Sequence, residues 1–91
     1  MELRWSQDAV DDLERITDYL FENIPERAPE LIRTIYDAPA TLLTFPHRAR
    51  SGKKEGTREL VLKALPYIVV YRIKGEVIEI LRILHGAQKW P

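Results

Sequence analysis

The sequence has 91 residues, enough for one domain expected to span 1–91, near the lower end of what folds alone. Apolar residues make up 45% of it and cysteine is absent, which excludes disulfides, thiolate metal sites and cysteine nucleophiles. Its 14 Lys/Arg and 14 Asp/Glu cancel overall but not locally: residues 1–45 hold 4 against 10, a net of −6, and residues 46–91 hold 10 against 4, a net of +6.

Segregation of this size predicts a polarised molecule, its basic half turned to phosphates, to an acidic protein or to its own acidic half. No apolar run reaches the roughly 18 residues that span a membrane. The start, Met1-Glu2-Leu3-Arg4-Trp5, lacks the basic-then-apolar pattern of a signal peptide. A cytoplasmic protein with an intact N-terminus, making no membrane contact, is therefore expected.

Leu3 to Trp5 reads as a short first strand. Ser6 is a good helix N-cap, and Asp8 in the first turn complements the helix dipole. Ala9, Leu13, Ile16, Leu20 and Ile24 recur at spacings of four, three, four and four, which predicts an amphipathic helix over about 7–23. Asp8, Asp11, Asp12, Glu14 and Asp18 fall largely off this stripe and read as a solvated helix face. Asn23-Ile24-Pro25 breaks the helix. A second one starts near Glu26 to Pro29, with Leu31, Ile35, Ala38, Leu42 and Phe45 continuing the stripe. Pro39 predicts a kink or a break, because a mid-helix proline loses a hydrogen bond and costs roughly 3 kcal/mol. Pro46 ends the segment; only a few residues join the two helices, which predicts an antiparallel hairpin.

His47 to Gly56 reads as a loop rich in Arg48, Arg50, Lys53 and Lys54. The period then changes. Thr57 to Lys63, Tyr67 to Lys74 and Glu76 to His85 are β-type runs, turning at Ala64-Leu65-Pro66 and Lys74-Gly75. The last two are apolar on both parities, as central strands are. The predicted fold is α+β: a short N-terminal strand, an α-helical hairpin, then a three-stranded antiparallel meander, with the helices packed on one face of the sheet.

Gly52-Lys53-Lys54 lacks the upstream glycine and the Ser/Thr of a phosphate-binding P-loop. His47 and His85 are far apart and have no acidic cluster beside them, so no metal or other cofactor is expected. No serine has a nucleophile-elbow context. The candidates that remain are Arg48, Arg50, Lys53, Lys54, Arg58, Arg72, Arg82 and His85. Arg72 and Arg82 sit within apolar strands and need a partner, either a carboxylate such as Glu59 or Glu79 or an incoming phosphate. Arg82 reads as functional, because it and His85 bracket the end of one strand. These residue types suit metal-free RNA cleavage. Arginine holds phosphate charge with a planar fork, histidine moves protons near neutral pH, and a lysine beside basic neighbours can be lowered toward that range.

The ordered set of segments resembles the RelE/ParE family of toxins from bacterial type II toxin–antitoxin systems. Its markers are a helical hairpin ending in Phe45-Pro46, then Gly56-Thr57-Arg58-Glu59-Leu60-Val61, then Tyr67-Ile68-Val69-Val70-Tyr71-Arg72, then Val77 through Ile80-Leu81-Arg82-Ile83-Leu84-His85-Gly86, and a close at Trp90-Pro91. The resemblance implies a cognate antitoxin, usually encoded beside the toxin, that wraps it with helices and an extended segment. It implies one of two targets. RelE-like members cleave mRNA on the ribosome; ParE-like members inhibit DNA gyrase and lack nuclease chemistry. Carried over, Arg58 and Arg82 match phosphate-binding arginines, Lys53 and Lys54 the basic loop, and His85 an acid or base, with Arg48, Arg50 and Arg72 as further RNA contacts. The sequence departs from the nuclease pattern in having no tyrosine after Arg82, and Pro39 is unusual for the second helix. The favoured expectation is a metal-independent, ribosome-associated mRNA endoribonuclease, with the gyrase inhibitor as the alternative. Trp90 is expected to cover the sheet's end or to touch the antitoxin.

Overall fold

The computed structural model describes residues 1–63 and 65–86. The expectation for Trp90, and Ala64 of the predicted turn, lie outside the described residues.

Strand β1 is Glu2–Trp5. Ser6 then caps helix α1, Gln7–Asn23, by accepting from the Ala9 N–H at 3.1 Å. The same hydroxyl donates to the Leu81 carbonyl at 2.9 Å, so one side chain starts the helix and ties it to the last strand. Helix α2, Ala28–Asp37, carries Pro29 in its first turn, where a missing N–H does no harm. The break expected at Pro39 occurs: the α-helix ends at Asp37 and the chain tightens into a 3₁₀ turn over Ala38–Leu43. Pro39 and Leu42 of that turn are buried.

The predicted loop is not all loop. Arg50–Ser51 form a two-residue strand, β2, pairing antiparallel with β3, Arg58–Val61. Gly52 donates to the Thr57 carbonyl at 2.8 Å, and Gly56 takes a φ of 82°, a left-handed position that glycine adopts without strain. Strands β4, Tyr67–Lys74, and β5, Val77–His85, follow, joined through Gly75. The sheet order is β1-β5-β4-β3-β2. The meander is antiparallel as expected, and β4 and β5 are inner strands. β1 adds to it in parallel, alongside β5, with Glu2 opposite Val77 and Trp5 opposite Ile80.

The register between β4 and β5 shifts once. Val70 faces Arg82 and Tyr71 faces Ile80, so Leu81 is an extra residue, a β-bulge. Both helices lie on one face. Between them and the sheet sits the core, built on Ile35, Leu42, Val69, Tyr71, Ile78, Ile80 and Ile83. Each such side chain stabilises the fold by about 1.5–3 kcal/mol through burial.

Candidate functional site

The bulge decides where the end of β5 points. Ile80 and Ile83 both enter the core although two residues separate them, and Arg82 is turned toward α1. Its Nε donates to Asp12 Oδ2 at 2.7 Å and its Nη2 to Asp12 Oδ1 at 3.0 Å. The Ile83 N–H donates to Asp12 Oδ2 at 2.9 Å, and Arg15 adds a close contact to Oδ1. Asp12 is only 2% exposed. Reading it as part of a solvated face is therefore corrected: it is a buried acceptor joining helix to strand. Spacing carried the signal, since Asp12 lies three residues after Ala9 and four before Ile16 and so shares their side of the helix. The hydrogen bonds to Asp12 make Arg82 hold its proton more firmly than usual, although burial opposes this.

His85 is exposed at the end of the strand, its ring edge-on to Tyr67 with centroids 5.9 Å apart. Burial pushes the Tyr67 phenol above its ordinary value. His85 and Tyr67 line an open groove of about 570 Å³ that runs along α1. Ile16, Leu20, Leu31 and Ile83 give it an apolar floor, and Arg15, Arg27 and Tyr19 stand around it. None of these three was singled out from the sequence.

The remaining candidates lie elsewhere. Arg58 Nη1 donates to the carbonyls of His47 and Ala49 at 3.2 and 3.0 Å. The Tyr71 hydroxyl donates to the Pro46 carbonyl at 2.7 Å, and together these bonds pin residues 46–49 to the sheet. Burial also raises the Tyr71 phenol, with the nearby Arg58 charge opposing. Arg50 pairs with Glu59 at 2.9 Å, and the Lys53 backbone N–H reaches the same carboxylate at 3.4 Å. Arg72 pairs with Glu79 at 2.7 Å, one of the two carboxylates that the sequence offered it. Arg48, Lys53 and Lys54 are exposed.

His85 thus lines the helix-side groove, Arg58 a second hollow with His47 and Ser51, and Lys53 and Arg50 a third, over Ile68, Val70 and Leu84. The structure engages most of these arginines with the protein itself and does not gather the candidates around one point. Among the described residues no cluster of three His, Asp or Glu is placed to hold a metal ion, and no helix is long and apolar enough to cross a membrane.

Comparison with known proteins agrees with this architecture. Residues 3–90 match the family described as ParE toxin of type II toxin-antitoxin system, parDE. A putative toxin, Y4kP, of Sinorhizobium fredii is 38% identical over 89 residues, covering 98% of this chain and 92% of that protein. Toxin RelE2 of Caulobacter vibrioides is 31% identical over 84 residues, covering 92% and 93%. Among solved structures, a chain of the chromosomal ParDE TA system from P. aeruginosa superimposes with a TM-score of 0.85 at 31% identity, covering 93% of this chain and 95% of that one.

Proposed function

The chain belongs to the ParE toxin family of type II toxin–antitoxin systems, and from that premise we propose that, when free of its antitoxin, it arrests growth by poisoning DNA gyrase and not by cutting mRNA. The observation that carries this reading is the closure of Arg82 on Asp12. An arginine that holds a phosphate needs its planar fork open to the ligand. Arg58 is similarly engaged, by the backbone of residues 47–49. Attack by a 2′-hydroxyl also needs base, acid and cation within reach of one phosphate, whereas His85, Arg58 and Lys53 line separate hollows. The family description and the ParDE neighbour support the same branch; RelE2, at 31% identity, bears the name of the other.

On this reading Arg48, Lys53 and Lys54, with the half-exposed Arg50 and Arg72, form a positive contact surface and transfer no proton. The action takes place in the cytoplasm and calls for no metal or cofactor. The test is direct. Purified chain added to gyrase should block supercoiling and trap cleaved DNA, and induced expression should raise an SOS response before mRNA is cut. Ribosome-dependent mRNA cleavage lost in His85→Ala, with supercoiling untouched, would overturn the reading in favour of the nuclease.

A further inference from the structure

The two ends of the sheet differ. At one end β2 is two residues long, and its Arg50 is already held by Glu59. At the other end β1 has β5 on one side only. The N–H groups of Glu2 and Ser6 donate to the carbonyls of Glu76 and Ile80 at 2.8 and 2.9 Å, so the even-numbered residues turn their backbone toward β5. Leu3 and Trp5 therefore turn their N–H and C=O groups outward, where they meet no partner among the described residues. Their side chains pack against the core, which leaves Glu2 and Arg4 in solvent on the far face of the sheet, paired at 3.1 Å. Apolar surface also gathers at this edge. Tyr36 stacks on Trp5 with ring centroids 5.7 Å apart and is 59% exposed, and Met1 is exposed beside them.

Charge on a short edge strand usually keeps other strands away. Here the two charges have opposite signs and stand two residues apart on one face, so they repel a second copy in one register and match it in another. We propose that β1 is a self-pairing edge, through which two copies of the chain join antiparallel about a two-fold axis centred on Leu3. In that register each Leu3 N–H donates to the Leu3 carbonyl of the second copy. Each Glu2 faces Arg4 of the second copy, and each Met1 faces its Trp5. Opposite charges set directly across two strands stabilise the pair. Centring the axis on Arg4 would use the same outward backbone groups but set arginine against arginine, which costs stability. The occupant is a second copy because the order acid, apolar, base along β1 is the order this register requires of its partner. The contact is isologous, as two-fold interfaces are. It joins two five-stranded sheets into one with the helices on one side. β2 lies at the other end of each sheet, so both basic loops stay uncovered at the outer ends of the pair. The contact is also short, which makes the pairing reversible and dependent on concentration.

The test is the mass of the purified chain in solution, which does not depend on gyrase, ribosome or toxicity. Sedimentation from about 1 µM to about 300 µM should show it rising from one copy toward two. Glu2→Arg sets arginines opposite each other, and Arg4→Glu sets glutamates opposite each other. Each should move the midpoint of dimer formation to at least about ten-fold higher concentration. The double exchange, Glu2→Arg with Arg4→Glu, recreates both contacts and should return the midpoint to within about three-fold of the parent. Both side chains are more than half in solvent, so the variants should keep the parent's circular dichroism and thermal unfolding. A chain that stays one copy over the whole range would overturn the proposal. So would a dimer indifferent to the single exchanges, or one that the double exchange fails to recover, since either result places the contact away from β1 or in another register.

Discussion

On the helix side of the sheet, one buried carboxylate gathers Arg82, Arg15 and the Ile83 N–H. On the far face, Arg72 meets Glu79 with both side chains partly in solvent, 45% and 32% exposed, while the loop's Arg50 reaches the buried Glu59 from a side chain 59% exposed. The same residue types do different work in the two places. A carboxylate removed from water must have all its acceptors filled, and then it fixes geometry. A pair left in solvent adds little stability and stays available to a partner. Arginine in a strand is therefore not by itself a sign of substrate binding; what its fork already holds decides.

The contrast can be broken most severely at Asp12. Asp12→Ala leaves the Arg82 guanidinium and the Ile83 N–H without their acceptor. It should destabilise the fold by about 3 kcal/mol and lower Tm by more than about 10 °C, read by thermal unfolding. Arg58→Ala should be milder, about 1–2 kcal/mol, because it frees only the 46–49 segment. Tyr71→Phe removes the single bond to the Pro46 carbonyl and should lower stability by about 1 kcal/mol, seen as an earlier urea midpoint. At the surface, Arg72→Ala should change stability by less than about 0.5 kcal/mol; a loss near that of Asp12→Ala would erase the distinction between the two faces.

Alkali offers a finer probe of the same core. The Tyr67 and Tyr71 phenols ionise in the folded chain only above their ordinary value of 10.0. Below that value both states are neutral and the stability is fully present. As pH rises past it, the unfolded chain ionises first and stability falls until the raised folded value is passed. The urea midpoint should therefore hold at pH 9 and drop at pH 11, and less so in Tyr71→Phe.

Much of the fold was legible, because local patterns encode it. The spacing of Ala9, Leu13, Ile16 and Leu20 marked α1, Ser6 marked its start, and Pro39 marked the end of α2. Two features left no local trace. β2 is two polar residues long and exists only through its pairing with β3. The parallel docking of β1 on β5 joins segments some 75 residues apart. The candidate site was legible as a set of residue types and not as an arrangement. Glu79 was one of two carboxylates offered to Arg72, while Asp12 was passed over as a solvent-facing acid although its spacing from Ala9 and Ile16 put it on the buried side; that it meets Arg82, 70 residues on, no local pattern shows.

The bulge at Leu81 and the central place of β5 have a consequence for assembly. β5 is the strand that β1, β4 and α1 all need. A chain halted before Val77 leaves β1 with no neighbour and Asp12 with no strand to receive. Such long-range closure makes folding slow relative to helical bundles of the same size. The acidic helix and the basic strands are thus joined through one strand, and the Arg82–Asp12 closure and the β1 pairing form together when β5 docks.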